Sequence, residues 1–138
     1  PDIGSMSSTH SANPIVCAAG KANLECLFDD GLIEVSKELG VTFHEELEKI
    51  RCRFSEHLNW VEGRGLLAAL LFKDVNGKPL ASLCDAIAEL CMQRGLLVVH
   101  TGRESIKLAP PLSISKEAML EGLSVLEQSI ADSISENK

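Results

Sequence analysis

Seven consecutive apolar residues, Leu66–Phe72, constrain this chain more than any other feature. An apolar run of that length, closed by an Asn76-Gly77 turn, predicts a strand buried on both faces. Gly63-Arg64-Gly65 just before it reads as a bulge or bend at the strand's entry. Pro79 then opens a helix with Leu80, Leu83, Cys84, Ile87, Leu90 and Cys91 on one face, ended by Arg94 and Gly95. Leu96–His100 is a short β-branched run, Thr101-Gly102-Arg103 turns, and Ser105–Leu108 makes another strand that Ala109-Pro110-Pro111 stops. Ser115 caps a final helix whose Met119, Leu123, Leu126, Ile130 and Ile134 share a face. From residue 59 onward the order is strand, helix, strand, strand, helix. That order predicts an α/β (α+β) sandwich with a small, mostly antiparallel sheet.

Upstream, residues 1–13 are rich in Gly, Ser, Thr and Asn and read as a loop. Asn13-Pro14 marks a helix start, because Asn caps well and Pro suits the first helical position. Ala18, Ala19, Ala22, Leu24 and Leu27 carry this helix to Asp29-Asp30-Gly31, and its small-residue side is expected to pack closely on other backbone. A second helix is predicted from Leu32 to about Phe54, with Val35, Leu39, Phe43, Leu47, Ile50 and Phe54 as its apolar stripe. Gly40 and Thr42 weaken it by up to about 1 kcal/mol each. Glu45, Glu46, Glu48, Lys49 and Arg51 form a solvated back.

Charge and cysteine usage narrow the function classes. The chain has 138 residues, room for one domain or a small domain with a connecting segment. A net charge of −7 and an aromatic content of 4% argue against a nucleic-acid partner. No apolar run is long enough to span a bilayer, so no membrane partner is expected. Five cysteines without a CxxC pair predict reduced, buried thiols in a reducing, cytoplasmic setting. The four histidines have no ligand spacing to one another or to the cysteines, so no metal is expected. The chain opens on Pro1 rather than an initiator Met, which an internal starting point or a tag scar explains.

Two local signals suggest a site. Ser8-Thr9-His10-Ser11-Ala12-Asn13-Pro14 is a hydroxyl-rich loop running into a helix N-terminus. Hydroxyls, backbone N–H groups and the helix dipole there favour an anion, although such residues also serve simply as caps. Lys107 alternates with Ile106 and Leu108. It reads either as a solvent-facing strand residue or as a cation aimed at a carboxylate in a cleft.

Four segments go further: SSTHSANPIVCAAGKANLE, WVEGRGLLAALLF, CMQRGLLVVHTG and IKLAPPLSISKEAMLEGLSVLEQSI. In this order and spacing they resemble the C-terminal third of class III (ω-) aminotransferases, the relatives of ornithine, 4-aminobutyrate and acetylornithine aminotransferases. The resemblance implies a fold-type I enzyme, usually a homodimer, that uses pyridoxal 5'-phosphate to move an amino group from a small-molecule donor to an oxo acid or aldehyde. It implies that the lysine holding the cofactor lies upstream, so that no catalytic residue falls in this chain and the chain alone is inactive. Thr9, with Ser8, matches the family loop that reaches the cofactor phosphate of the neighbouring subunit. Lys107 matches a substrate-carboxylate position where the family commonly has arginine; lysine keeps the charge and loses the bidentate fork. The implied division is residues 1–30, phosphate loop and connecting helix, and residues 31–138, the small C-terminal domain. The alternative is a stand-alone α/β binding, regulatory or dimerisation module without catalysis, since architecture alone does not give function.

Overall fold

The computed structural model describes residues 12–136. The chain divides into two compact units between Glu34 and Val35. The first unit carries helix α1, Pro14–Asp29. Asn13 is its N-cap: the side-chain Oδ1 accepts from the Ile15 N–H at 2.9 Å, and Pro14 occupies the first turn. The Asp30 N–H closes the other end on the Cys26 carbonyl at 3.2 Å, and Gly31 turns away at φ 65°. No residue of α1 is buried, so the small-residue side expected to pack against backbone is exposed.

Helix α2, Leu32–Arg53, leads into the second unit. There β1 (Leu58–Arg64), β2 (Leu67–Phe72), helix α3 (Ala81–Gln93), β3 (Val99–His100), β4 (Ser105–Leu108) and helix α4 (Lys116–Glu136) follow. The sheet order is β1-β2-β4-β3, and every neighbouring pair is antiparallel. Strands β2 and β3 therefore run parallel, joined through α3, with β4 inserted between them.

The structure corrects the single strand expected over residues 59–72. Residues 58–64 and 67–72 are two strands of a hairpin, with Arg64 opposite Leu67 and Gly65-Leu66 as a two-residue turn. Gly65 supplies the positive φ, 58°, that the first position of such a turn demands. Gly63-Arg64-Gly65 is thus the end of one strand and the start of a reversal, not the bend at a strand's entry. Strand β1 carries its own bulge at Asn59, where the register shifts between Leu58 and Trp60.

Strand β2 is also not buried on both faces. Ala68, Leu70 and Phe72 are buried, while Leu67 is exposed and Ala69 and Leu71 are half-buried. The buried set shares one core with Leu58, Ile106 and Leu108 of the neighbouring strands. Against it lie Phe43, Leu47 and Ile50 of α2, Cys84, Ile87 and Cys91 of α3, and Leu126 and Ile130 of α4. Trp60, Leu67, Val99 and Lys107 on the alternate positions stay exposed. The α2 stripe is buried from Phe43 to Ile50, and Val35 at its start is exposed.

Polar ties fix the helices to one another. Arg53 Nη1 of α2 donates to Glu127 Oε1 of α4 at 2.7 Å. Arg94, just past α3, donates to Asp132 Oδ2 at 2.5 Å and to Ser129 Oγ at 3.2 Å. Ser115 Oγ accepts from the Ala118 N–H at 3.1 Å, the predicted cap of α4. Helix α3 starts two residues later than Pro79, which instead bridges Lys73.

Gly40, a weak point by helix propensity, has a packing reason. A Cβ there would lie 2.6 Å from Gly65 Cα and 2.8 Å from its carbonyl carbon. Two glycines allow the α2 backbone to meet the hairpin turn directly. Gly40→Ala is expected to destabilise the chain by about 1–3 kcal/mol, outweighing the ~1 kcal/mol that Ala adds in a helix. Gly122→Ala in α4 meets only Leu96 Cδ1, at 3.4 Å, and should be neutral or stabilising. Equal urea midpoints for the two variants would show that the helix–turn approach is not tight.

Candidate functional site

The α1 end of the hydroxyl-rich loop is well defined. Ala12 adopts φ 59° and delivers Asn13 to the N-cap position. Ser8 and Thr9 lie outside the described residues. At this helix start Pro14 has no N–H, Ile15 donates to Asn13 Oδ1, and Cys17 donates to the Asn13 carbonyl at 2.9 Å. The helix end fits an anionic ligand by remaining exposed over residues 14–17.

Lys107 sits in the middle of β4, opposite Ala69 of β2 and Val99 of β3. Glu62 is opposite Ala69 on its other side, so Glu62, Ala69, Lys107 and Val99 form one row across the uncovered sheet face. Lys107 is exposed and makes no ion pair among the described residues. A strand holds its backbone, a small Ala69 leaves room beside it, and its charge is unneutralised. That is a usable single-point contact for a carboxylate.

Lys107 also borders a feature the sequence did not disclose. A groove of about 300 Å³ opens between the end of β4, the Leu96–Val99 approach to β3, and α4. Residues 96–100 were expected to form one strand, but only Val99 and His100 pair. The unpaired approach leaves the gap that becomes the groove. His100 pins this edge to α3: Nδ1 lies 2.6 Å from Asp85 Oδ1, and Nε2 lies 3.1 Å from the Arg103 carbonyl oxygen.

The cysteines divide into two sets, which corrects the expectation of uniformly buried thiols. All five are free; Cys84 and Cys91 are buried, and Cys17, Cys26 and Cys52 are exposed. Burial, with Asp85 and Glu104 nearby, pushes the Cys84 thiol up to about 12. Burial also raises Cys91, partly opposed by Ser129 and Arg94. The Asp30 carboxylate raises Cys26.

Comparison with known proteins places this geometry. The family model described as aminotransferase class-III matches residues 1–130. The chain belongs to the class III aminotransferase family. It is 39% identical over 120 residues to the mitochondrial ornithine aminotransferase of Oryza sativa subsp. japonica, covering 86% of this chain and 24% of that protein. It is 30% identical over 135 residues to the 4-aminobutyrate aminotransferase of Mycobacterium bovis, covering 96% of this chain and 30% of that one. Among solved structures, acetylornithine aminotransferase from Elizabethkingia anophelis superposes with a TM-score of 0.81 at 32% identity, covering 96% of this chain and 32% of that one. The chain thus spans about a quarter to a third of the length of these class III relatives. The α/β fold expected from the sequence is that of the matched portion of the solved relative.

Thiol exposure gives a direct check of the structure. A thiol reagent at neutral pH should titrate three cysteines in the folded chain and all five in denaturant. Cys26 should lag among the three, because Asp30 disfavours its thiolate. Rapid labelling of Cys84 or Cys91 under native conditions would contradict the packing of α3.

Proposed function

We propose that this chain supplies the phosphate loop and small C-terminal domain of a pyridoxal-phosphate-dependent aminotransferase. The parent reaction moves an amino group from an amino acid or ω-amine donor to a 2-oxo acid or aldehyde. The observation that carries this reading is the family match along residues 1–130. On this reading residues 1–30 are the loop and connecting helix and residues 31–138 the small domain. The lysine that holds the cofactor comes from sequence outside these 138 residues, and the chain alone is inactive. The assembled enzyme is a homodimer. Free thiols suit the reducing, cytoplasmic setting that completes the proposal.

When bound, the cofactor supplies an electron sink for bond cleavage at the carbon that carries the amino group. The chain's own residues hold and orient. The Thr9 and Ser8 hydroxyls donate to phosphate oxygens across the dimer. Lys107 meets the substrate carboxylate through one ammonium, so orientation is looser than a guanidinium fork would give. Its exposure, its freedom from ion pairs among the described residues, and its fixed strand register support that role.

The test joins this chain to the remainder of a class III relative and assays amino transfer. Turnover is expected in the joined protein and absent from the isolated chain. Lys107→Met in the joined protein should lower kcat/KM for carboxylate substrates by about ten- to hundred-fold, the range for a lost charged hydrogen bond. Failure of the joined protein to transaminate overturns the reading. Adding pyridoxal phosphate to the isolated chain, then borohydride, should leave no lysine preferentially modified on peptide mapping. Selective modification of one lysine would show that the cofactor's anchor lies within this chain.

The exposed Ile15, Leu24 and Phe28 of α1 favour a second reading, a non-catalytic module that associates through this helix. A chain that sediments as a monomer counts against it.

A further inference from the structure

We propose that Asn76 is a self-modification site, where the Gly77 backbone nitrogen displaces the side-chain amide as ammonia, and that the turn built on Asp74 sets its rate. Of the five asparagines, Asn76 alone precedes a glycine; Asn13, Asn23, Asn59 and Asn137 precede Pro14, Leu24, Trp60 and Lys138. Glycine has no Cβ to crowd an attack by its own nitrogen, whereas Pro14 has no N–H to lose and the other three are bulky. Asn76 and Gly77 are exposed in the loop between β2 and α3, and a Cβ at Gly77 would meet nothing within 4 Å. Water therefore reaches the site.

The reaction needs water and neither oxidant nor reductant. The Gly77 nitrogen loses its proton and bonds to Asn76 Cγ; the Cγ–Nδ2 bond breaks and ammonia leaves. Water then opens the cyclic imide at either carbonyl, giving aspartate or isoaspartate. Each product places a new negative charge at position 76, and isoaspartate lengthens the backbone through the turn.

The turn opposes the first step. The Gly77 N–H donates to the Asp74 carbonyl at 2.9 Å, so the attacking nitrogen must first give up a hydrogen bond. Asp74 Oδ1 accepts from the Asn76 and Lys78 N–H groups at 2.8 Å each, and the Asp74 N–H donates to the Lys78 carbonyl at 2.9 Å. The Lys78 N–H foremost, and then that of Asn76, hold the Asp74 carboxyl below its ordinary range. The clamp is complete at neutral pH and is lost as pH falls through that lowered value. Neither Val75 nor Asn76 has a positive φ, which together with the Gly77-to-Asp74 bond gives the turn type I character with Val75 at its second position. Val75 is 86% exposed, so it can be replaced without touching the core.

The experiment follows the folded 138-residue chain over days at mildly alkaline pH by peptide mapping that separates aspartate from isoaspartate. Both products are expected at position 76 ahead of the other four asparagines, and Asn76→Gln should remove them. Asp74→Ala should speed the reaction about three- to ten-fold, the range for one lost hydrogen bond. Val75→Pro, which pre-sets φ at this turn position, should slow it. Opposite shifts in two surface variants cannot both come from general loosening, and circular dichroism checks that each is folded. In guanidinium chloride the parent should react faster than in buffer, and the three rates should converge. Earlier reaction at another asparagine, an unchanged rate in Asp74→Ala, or differences that persist undiminished in guanidinium chloride would overturn the proposal. None of these readouts involves pyridoxal phosphate or amino transfer, so this inference and the aminotransferase reading fail separately.

Discussion

One-sided burial of a four-stranded sheet governs this protein. Leu58, Ala68, Leu70, Phe72, Ile106 and Leu108 turn inward, and α2, α3 and α4 close over them with their own apolar stripes. The second unit depends on that layer for its stability, because a short antiparallel sheet buries too little by itself. Fully burying a side chain such as Leu70 or Ile106 contributes about 1.5–3 kcal/mol, and these positions are completely enclosed. The alternate positions are thereby released from packing. They carry Trp60, Glu62, Lys107 and Val99 on a face where a charge costs little and can meet a ligand.

The close contact between Gly40 and Gly65 sets where that layer ends. It brings the α2 backbone against the β1–β2 turn and so fixes how the helix lies over the hairpin. At the opposite end the sheet thins to the two residues of β3. The apolar groove opens at this thin edge, and Lys107 reaches its rim from the strand next to it.

Helices were legible in the sequence because their signals are local. Asn13-Pro14, Ser115 and the repeating stripes of α3 and α4 mark ends and faces within a few residues. The β1–β2 hairpin was not, because Leu66–Phe72 is apolar throughout and hides its alternation. The half-exposed Leu67, Ala69 and Leu71 carry no polar mark of their outward positions. Gly63 and Gly65 were read as strand-entry glycines, although the same pair suits a tight reversal. Gly40 was counted only as a helix weakness, since its partner is a turn 25 positions away. Of the candidate site, the Asn13 cap of α1 and the exposure of Lys107 followed from pattern. The groove did not, because it arises from a strand that fails to pair over Leu96–Val98, and missing pairing leaves no trace in composition.

The insertion of β4 between β2 and β3 bears on the order of assembly. The β1–β2 hairpin closes over a two-residue turn and can form early. Strands β3 and β4 form a second local hairpin through residues 101–104, and this pair has to dock beside β2 after α3 has crossed. With two paired residues at the sheet edge, β3 is held by the shortest ladder in the sheet and is the first part to lose its hydrogen bonds. Local unfolding should begin there, and amide protons of residues 96–100 should exchange sooner than those of β2.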